Sequence, residues 1–459
     1  MLQEALATYA VGQRAQALSP NVQHHTKRAI IDWFAALLPG GAMTPATSVV
    51  ASLAEDVGHG SATLYPSGAR ATARTAALVN GTAAHTAEFD DIFRDAIYHP
   101  GAPVIAAALA AAQHVGAGGE MLLRAVVVGY EISTRIAVAL TPAHYKYWHT
   151  TGTVGTFGAA AATATVLELD RVQIAHALAT SATFAAGLQQ AFRSDAMSKP
   201  LHAGRAAEAG MLAAMLAQHG VTGAADMLEG ERGLGRAMSA DCDWTAAVAE
   251  LGSHYNITTM TIKNHGCCGH TFAAIDGALA LRDREQFRPQ DIERLEVETY
   301  QTALDVTGNF APTTEFEAKF SLPFVVASAF VHGSVRLDAF SHQRLAHPEV
   351  RRLMGVLELR ASPELDASFP RRRAARVIVH ARGGGRFEYF QPTRKGDPDL
   401  PLTDAELDHK YRELAGPVIG NARANRLLEK LWELEALHTT RDLDIGAVRA
   451  YATTTAEVA

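Results

Sequence analysis

Charge is scarce in this chain of 459 residues: Asp, Glu, Lys and Arg supply 19% of it and apolar residues 48%, where an ordinary soluble domain carries roughly 25% charge. Such a shortage implies extensive buried helix packing and a subunit interface. Positive charge is the scarcer sign. The formal net charge of −7 argues against a phosphate backbone as partner, so no nucleic acid is expected. Cysteine is rarer still: Cys242 stands alone and Cys267 sits beside Cys268, which is no disulfide framework and fits a reducing cytoplasm. Long apolar runs are missing too. The best, near Pro103 to Ala112, falls short of the roughly 18 residues a membrane helix needs, so no membrane partner is expected. The opening MLQEALATYAVG has no basic segment and carries Glu4, so it does not read as a signal peptide.

What is present is helical periodicity. A chain this long exceeds one simple core, and two domains are expected. Helical patterns cover 2–18 and 21–38, split by Ser19-Pro20, with Ile30, Ile31, Phe34, Ala35 and Leu38 on one face of the second. Thr44-Pro45 starts a third helix, and Ser67 precedes a fourth that closes at Asn80-Gly81. Further helices are expected at about 102–115, 119–139, 152–167, 171–186 and 200–218, and nothing in this half alternates for long like a strand. After Asp283 the pattern changes. RLEVETY, Arg294 to Tyr300, has the period of a half-buried strand, and residues 375–390 read as two strands around Gly383-Gly384-Gly385, with a helix at 322–332. From Thr403 the helical period returns, with Leu427, Leu428, Leu431, Leu434 and Leu437 on one face. The expected fold is therefore mainly α: a large all-helical domain formed by both chain ends, 1–263 and 401–459, with a smaller inserted α+β domain over 264–400.

Four loop-to-helix junctions carry the chemistry. Met197 to Pro200 leads into a helix whose N-terminus holds Lys199, where unpaired N–H groups already favour an anion. His99 precedes Pro100-Gly101 and an apolar helix, and His149 precedes Thr150, Thr151 and the small-residue helix GTVGTFGAAAATATVLEL. Lys263 opens KNHGCCGHTF, which feeds FAAIDGALALRD. Taken singly, each histidine reads better as a core or cap residue. If the junctions converge, two amines and two imidazoles enclose a small anion.

Other chemistries fit less well. Cys267, Cys268, His265 and His270 crowd six residues, yet zinc ligands are spaced more widely and need a distant second pair. Asp90, Asp91 and Asp95 approach the aspartate-rich magnesium motif of isoprenoid synthases with one residue too many and no second acidic motif. No metal is expected. The glycines of GTVGTFG follow no strand, so they make no dinucleotide fingerprint and instead permit close backbone contact.

Five segments, EFDDIFRDAIYHPGAPVIAAALA, VVVGYEISTRIA, HTTGTVGTFGAAAATA, MSKPLHAGRAAEAGMLAA and IKNHGCCGHTFAAIDGALA, resemble the MmgE/PrpD family in order, spacing and content. The resemblance implies a homodimer whose subunit has a large helical domain built from both chain ends and a smaller α+β lid. Activities in that family are 2-methylcitrate dehydration, cis-aconitate decarboxylation to itaconate and iminodisuccinate epimerisation, none using a metal or organic cofactor. Asp91, His99, His149, Lys199 and Lys263 are the positions the resemblance carries over. Ile92, Cys268 and Phe324 stand where the decarboxylase has threonine, histidine and tyrosine, which disfavours itaconate formation unless His270 substitutes. The resemblance thus implies catalytic roles for His99, His149, Asp91 and His270, and substrate contacts from Lys199, Lys263, Cys268 and Phe324. The expected activity is a cofactor-independent lyase of dehydratase type on a small di- or tricarboxylate such as a 2-methylcitrate-like hydroxy-acid. An iminodisuccinate-type epimerase is the alternative.

Overall fold

A computed structural model describes residues 1–192, 196–369 and 371–448, so the expected C-terminal section is described as far as residue 448. It is mainly α-helical. The chain separates into two compact units, Met1–Ile262 with Thr403–Ala459, and Lys263–Leu402.

In the larger unit the long helices are α1 (Leu2–Ala15), α2 (Pro20–Gly40), α3 (Ala73–Thr86), α4 (Gly101–Val115), α5 (Gly119–Leu140), α6 (Thr150–Val166), α7 (Arg171–Phe184) and α8 (Lys199–Gln218). Their ends follow local chemistry. Ser19 accepts from Val22 N at the start of α2, with Pro20 in the first turn. Asp170 and Gln173 form a reciprocal capping box on α7. Gly116, at φ 76°, takes the left-handed position that stops α4.

Every residue of α6 is buried, the expected fate of a helix that is apolar or small on all sides. It packs against α4, α5, α7 and α8, and its glycines set the spacing. A Cβ on Gly155 would lie 2.6 Å from Pro103 Cγ, and one on Gly158 would lie 2.6 Å from Val104 Cγ2. The crossing of α3 and α8 is tighter. A Cβ on Gly204 would collide with Leu78 O, and one on Gly81 would fall 3.0 Å from Gly204 Cα.

One departure from the all-helical expectation is a hairpin, β1 (Val57–Leu64) paired antiparallel with β2 (Ala69–Ala71). Ser67 lies in its turn instead of heralding a helix, and α3 starts after Thr72. Nor does Asn80-Gly81 end α3. The Asn80 side chain accepts from Tyr65 N at 3.1 Å and donates to Thr63 O at 2.9 Å, pinning the hairpin from mid-helix. The returning chain end packs on α2 through helix Asp404–Ile419. There Lys410 Nζ donates to Asp32 Oδ1 at 2.5 Å and to Phe89 O at 3.1 Å, which fixes the loop after α3.

The smaller unit holds a four-stranded sheet of order β4-β3-β5-β6, made of β3 (Ile292–Thr299), β4 (Leu357–Ala361), β5 (Ala375–Ala381) and β6 (Arg386–Gln391). β3 pairs parallel with β4 and antiparallel with β5, and β5–β6 is a hairpin turning through Gly383 and Gly384 at φ 98° and 96°. Its two long helices are α9 (Phe272–Glu285) and α10 (Leu322–His332). Helix α9 packs on α10, β5 and β6. Ile275, Leu295, Val297, Phe324, Phe330 and Val377 meet in the core between them.

Candidate active site

The larger unit brings four imidazoles together. His85 ends α3, His99 precedes α4, His149 is the N-cap residue of α6, and His202 sits in the first turn of α8. His85 stacks on His149 with ring centroids 5.5 Å apart and meets His99 edge-on at 4.9 Å. His149 Nδ1 and His202 Nδ1 lie 3.0 Å apart. One carboxylate serves two of these rings: Asp90 Oδ2 is 2.6 Å from His85 Nδ1 and 3.3 Å from His99 Nδ1.

Lys199 is the first residue of α8, where the helix dipole adds to its charge. Its ammonium pairs with Glu88, whose backbone takes φ 60°, a left-handed conformation costing a non-glycine residue about 1–2 kcal/mol. The side chain of Lys199 remains 23% exposed. Close by, a cavity of about 490 Å³ is lined by residues including Gly187, Leu188, Gln190, Ser198, His202 and Arg205. That volume suits a small ligand.

Burial decides the protonation states. It depresses His149 well below the usual imidazole range, reinforced by His85 and the Lys199 ammonium. It depresses His202 to about 4, again with His85 and Lys199. Both rings are therefore neutral at pH 7, the state a general base requires. Burial alone would raise Asp90, yet His85 and His99 outweigh it and hold that carboxyl well below its normal range. Burial would likewise lower Lys199, but Glu88 and then Asp90 keep the ammonium raised.

His85, Asp90 and His99 present potential metal-ligand atoms within 4.8 Å of one another. Two ligands on a tetrahedral zinc stand roughly 3.3 Å apart, wider than the 2.6 Å between His85 and Asp90. As arranged, that pair shares a proton.

Asp91 does something else. Its Oδ1 accepts from Gly101 N at 3.0 Å and its Oδ2 from the Tyr130 hydroxyl at 2.8 Å. Burial, helped by the charge of Asp32, pushes its carboxyl up to about 8. It therefore caps and orients the His99–α4 junction from inside the core.

The other expected residues belong to the smaller unit. Lys263 is buried. In the following loop His265 Nε2 meets Asp276 Oδ1 at 2.8 Å, Cys267 Sγ lies 3.2 Å from Thr271 Oγ1, and His270 Nδ1 is 2.8 Å from the Tyr300 hydroxyl. Burial pushes the Cys267 thiol up to about 12 and also raises Cys268, so neither is an activated nucleophile. Burial, with Arg373 and Arg394, lowers His270 to about 4. Phe324, expected to meet substrate, is fully buried and packs near Phe340 in the core.

Residues 4–247 match the MmgE/PrpD N-terminal domain and residues 265–434 the MmgE/PrpD C-terminal domain. The chain belongs to the MmgE/PrpD family. Among its relatives are the cis-aconitate decarboxylase of Mus musculus, 29% identical over 377 residues that cover 78% of this chain and 76% of the relative. The cis-aconitate decarboxylase-like protein oryM of Aspergillus oryzae is 26% identical, covering 79% of this chain and 80% of its own length. Aspergillus terreus cis-aconitate decarboxylase is 25% identical, with coverages of 79% and 78%.

In this MmgE/PrpD protein, the expected residues His99, His149 and Lys199 lie among His85, Glu88, Asp90 and His202, which the motifs alone do not single out. Two signals point to them. His202 lies three residues after Lys199 on α8, a spacing that shares a helix face. The segment HTAEFDDIFRDAIYHP, which includes His85, Glu88 and Asp90, is far denser in acid and histidine than a helix end requires.

Proposed function

We propose that this chain is a lyase that moves a proton at a carbon beside a carboxylate of a small di- or tricarboxylate. The observation that carries the reading is the neutral His149, held between His85 and His202 with the Lys199 ammonium nearby. Lys199 and the first N–H groups of α8 receive a substrate carboxylate. His149 takes the proton, and the electron pair moves onto the carboxylate, where the cation and helix end stabilise the developing dianion. In dehydration the β-hydroxyl then leaves with a proton from His99, whose charged form Asp90 supports. Water and a new double bond result. The proposed substrate is a 2-methylcitrate-like hydroxy-acid.

A second reading is decarboxylation, favoured by the names of the relatives. There the carboxyl carbon departs as carbon dioxide, and the electrons it leaves are protonated by an imidazolium. Neither route calls on a cofactor. No helix among the described residues is long and apolar enough to cross a membrane; a cytoplasmic homodimer is the proposed working form, to be checked by its mass in solution.

The test is incubation with 2-methylcitrate, cis-aconitate and iminodisuccinate in deuterated water, followed by proton NMR. Alkene signals from the first support dehydration, and carbon dioxide from the second supports decarboxylation. Solvent deuterium in an otherwise unchanged third substrate means epimerisation and overturns the lyase reading. Inertness towards all three does so as well.

A further inference from the structure

The smaller unit carries a cluster of positive charge that the expected chemistry leaves unused. The loop from Lys263 to Thr271 runs into α9, and two guanidinium groups approach Gly269 in it. A Cβ there would lie 2.9 Å from Arg394 Nη1 and 4.0 Å from Arg373 Nη1. Two guanidinium groups thus converge on one glycine. They are not equivalent. Arg394 is 4% exposed, and its Nε and Nη2 donate to the two oxygens of Asp397 at 3.0 and 2.8 Å. Arg373 is half-buried and, among the described residues, makes no hydrogen bond or ion pair.

Among the described residues, Asp397 is the carboxylate that acts on Arg373. His270 is neutral and engaged with Tyr300, which stacks on Phe369 at 4.5 Å with 12° between the rings. The Cys268 thiol stays protonated. One carboxylate, Asp397, therefore faces two guanidiniums, with Lys263 adding positive charge to the field at Cys268. A half-buried guanidinium beside a like charge is unfavourable unless an acceptor completes it. The planar fork of arginine matches a carboxylate through two parallel hydrogen bonds.

We propose that Arg373, backed by Arg394 and seated beside Gly269, is a carboxylate-binding site of the smaller unit. Its guest is one carboxylate of a small polycarboxylate; that identity rests on the function proposed above, whereas the anion site itself does not.

The test is calorimetric titration of the full-length protein with tricarballylate, a tricarboxylate with no hydroxyl to lose, and separately with inorganic phosphate. Wild type binds tricarballylate. Arg373→Met weakens it by about tenfold or more, the loss of a charged hydrogen-bonded pair, and Arg373→Lys recovers part of the affinity because it keeps the charge without the fork. Gly269→Ala keeps every charge but intrudes on the guanidiniums, and it weakens binding as well. Unfolding temperatures separate these losses from misfolding. Equal affinity in wild type, Arg373→Met and Gly269→Ala overturns the site, and phosphate binding tighter than tricarballylate overturns the carboxylate assignment. If no substrate is turned over while Arg373 still governs tricarballylate binding, the lyase reading falls and this inference stands. Turnover whose KM ignores Arg373→Met overturns this inference and leaves the lyase reading in place.

Discussion

His149 in the larger unit and His270 in the smaller are both neutral, and their neighbours explain why the two rings suit different work. Around His149 stand three more imidazoles, with an ammonium and the carboxylate of Asp90 close by. Protons can be passed among such groups. Around His270 stand Tyr300, Arg373 and Arg394, whose protons are held too firmly near pH 7 to be exchanged with substrate. The same depressed imidazole thus has titratable neighbours in one case and fixed cations in the other. Burial alone does not make a base; it needs titratable company.

The sharpest way to break this comparison is substitution of the two histidines. His149→Ala is expected to lower kcat by about a hundredfold or more with little change in unfolding temperature, whereas His270→Ala lowers it by about tenfold or less. Equal losses in steady-state kinetics would erase the distinction and restore the catalytic role expected of His270. Lys199→Ala comes next, raising KM by about tenfold with a smaller effect on kcat; an unchanged KM removes it from substrate binding.

A pH profile sharpens the point further. His149 must be neutral to act, and its folded value is depressed below the ordinary 6.5. Protonation therefore sets in only well below pH 6.5. The expected kcat/KM is flat from pH 7.5 down to 6.5, with its acid limb below that; an acid limb centred near pH 6.5 would show a solvated imidazole at work.

The smallest expected effect is on stability, at Asp91. Its folded value, raised to about 8 from 3.8, means that the folded state holds a proton the unfolded chain has released between those limits. Stability attributable to this group is therefore greatest at low pH and declines as pH rises towards 8. Asp91→Asn, which mimics the protonated acid, should gain unfolding temperature relative to wild type from pH 5 to 8 and level off above. A difference independent of pH would refute it.

Asp90 and Asp91 also mark the limit of what the sequence conveys. They are adjacent and chemically alike, yet two histidines bring one far down while burial beside Asp32 brings the other far up. The two histidines lie in the same acid- and histidine-dense segment as Asp90, whereas Asp32 comes from a distant turn of the chain, and no local pattern tells which acid meets which partner. Local punctuation, by contrast, is legible: Pro100, Thr150 and Pro200 place His99, His149 and Lys199 at helix starts, and helix 322–332 falls where its apolar run predicts. The hairpin is missed because Gly58 and Gly60, both at positive φ, interrupt the alternation in β1. Strand β4 is missed because five residues, LELRA, at a sheet edge give too short a signal.

The crossing of α3 over α8 leaves no room for a methyl group at Gly204 and little at Gly81. His85 lies one turn beyond the first glycine, and Lys199 little more than one turn before the second. The bare backbones therefore serve as a gauge block from which both side chains take their positions. A single added carbon at Gly204 would wedge the two rods apart and cost about 1–3 kcal/mol of overpacking. It would also displace His85 and Lys199 from outside, without touching any group that titrates.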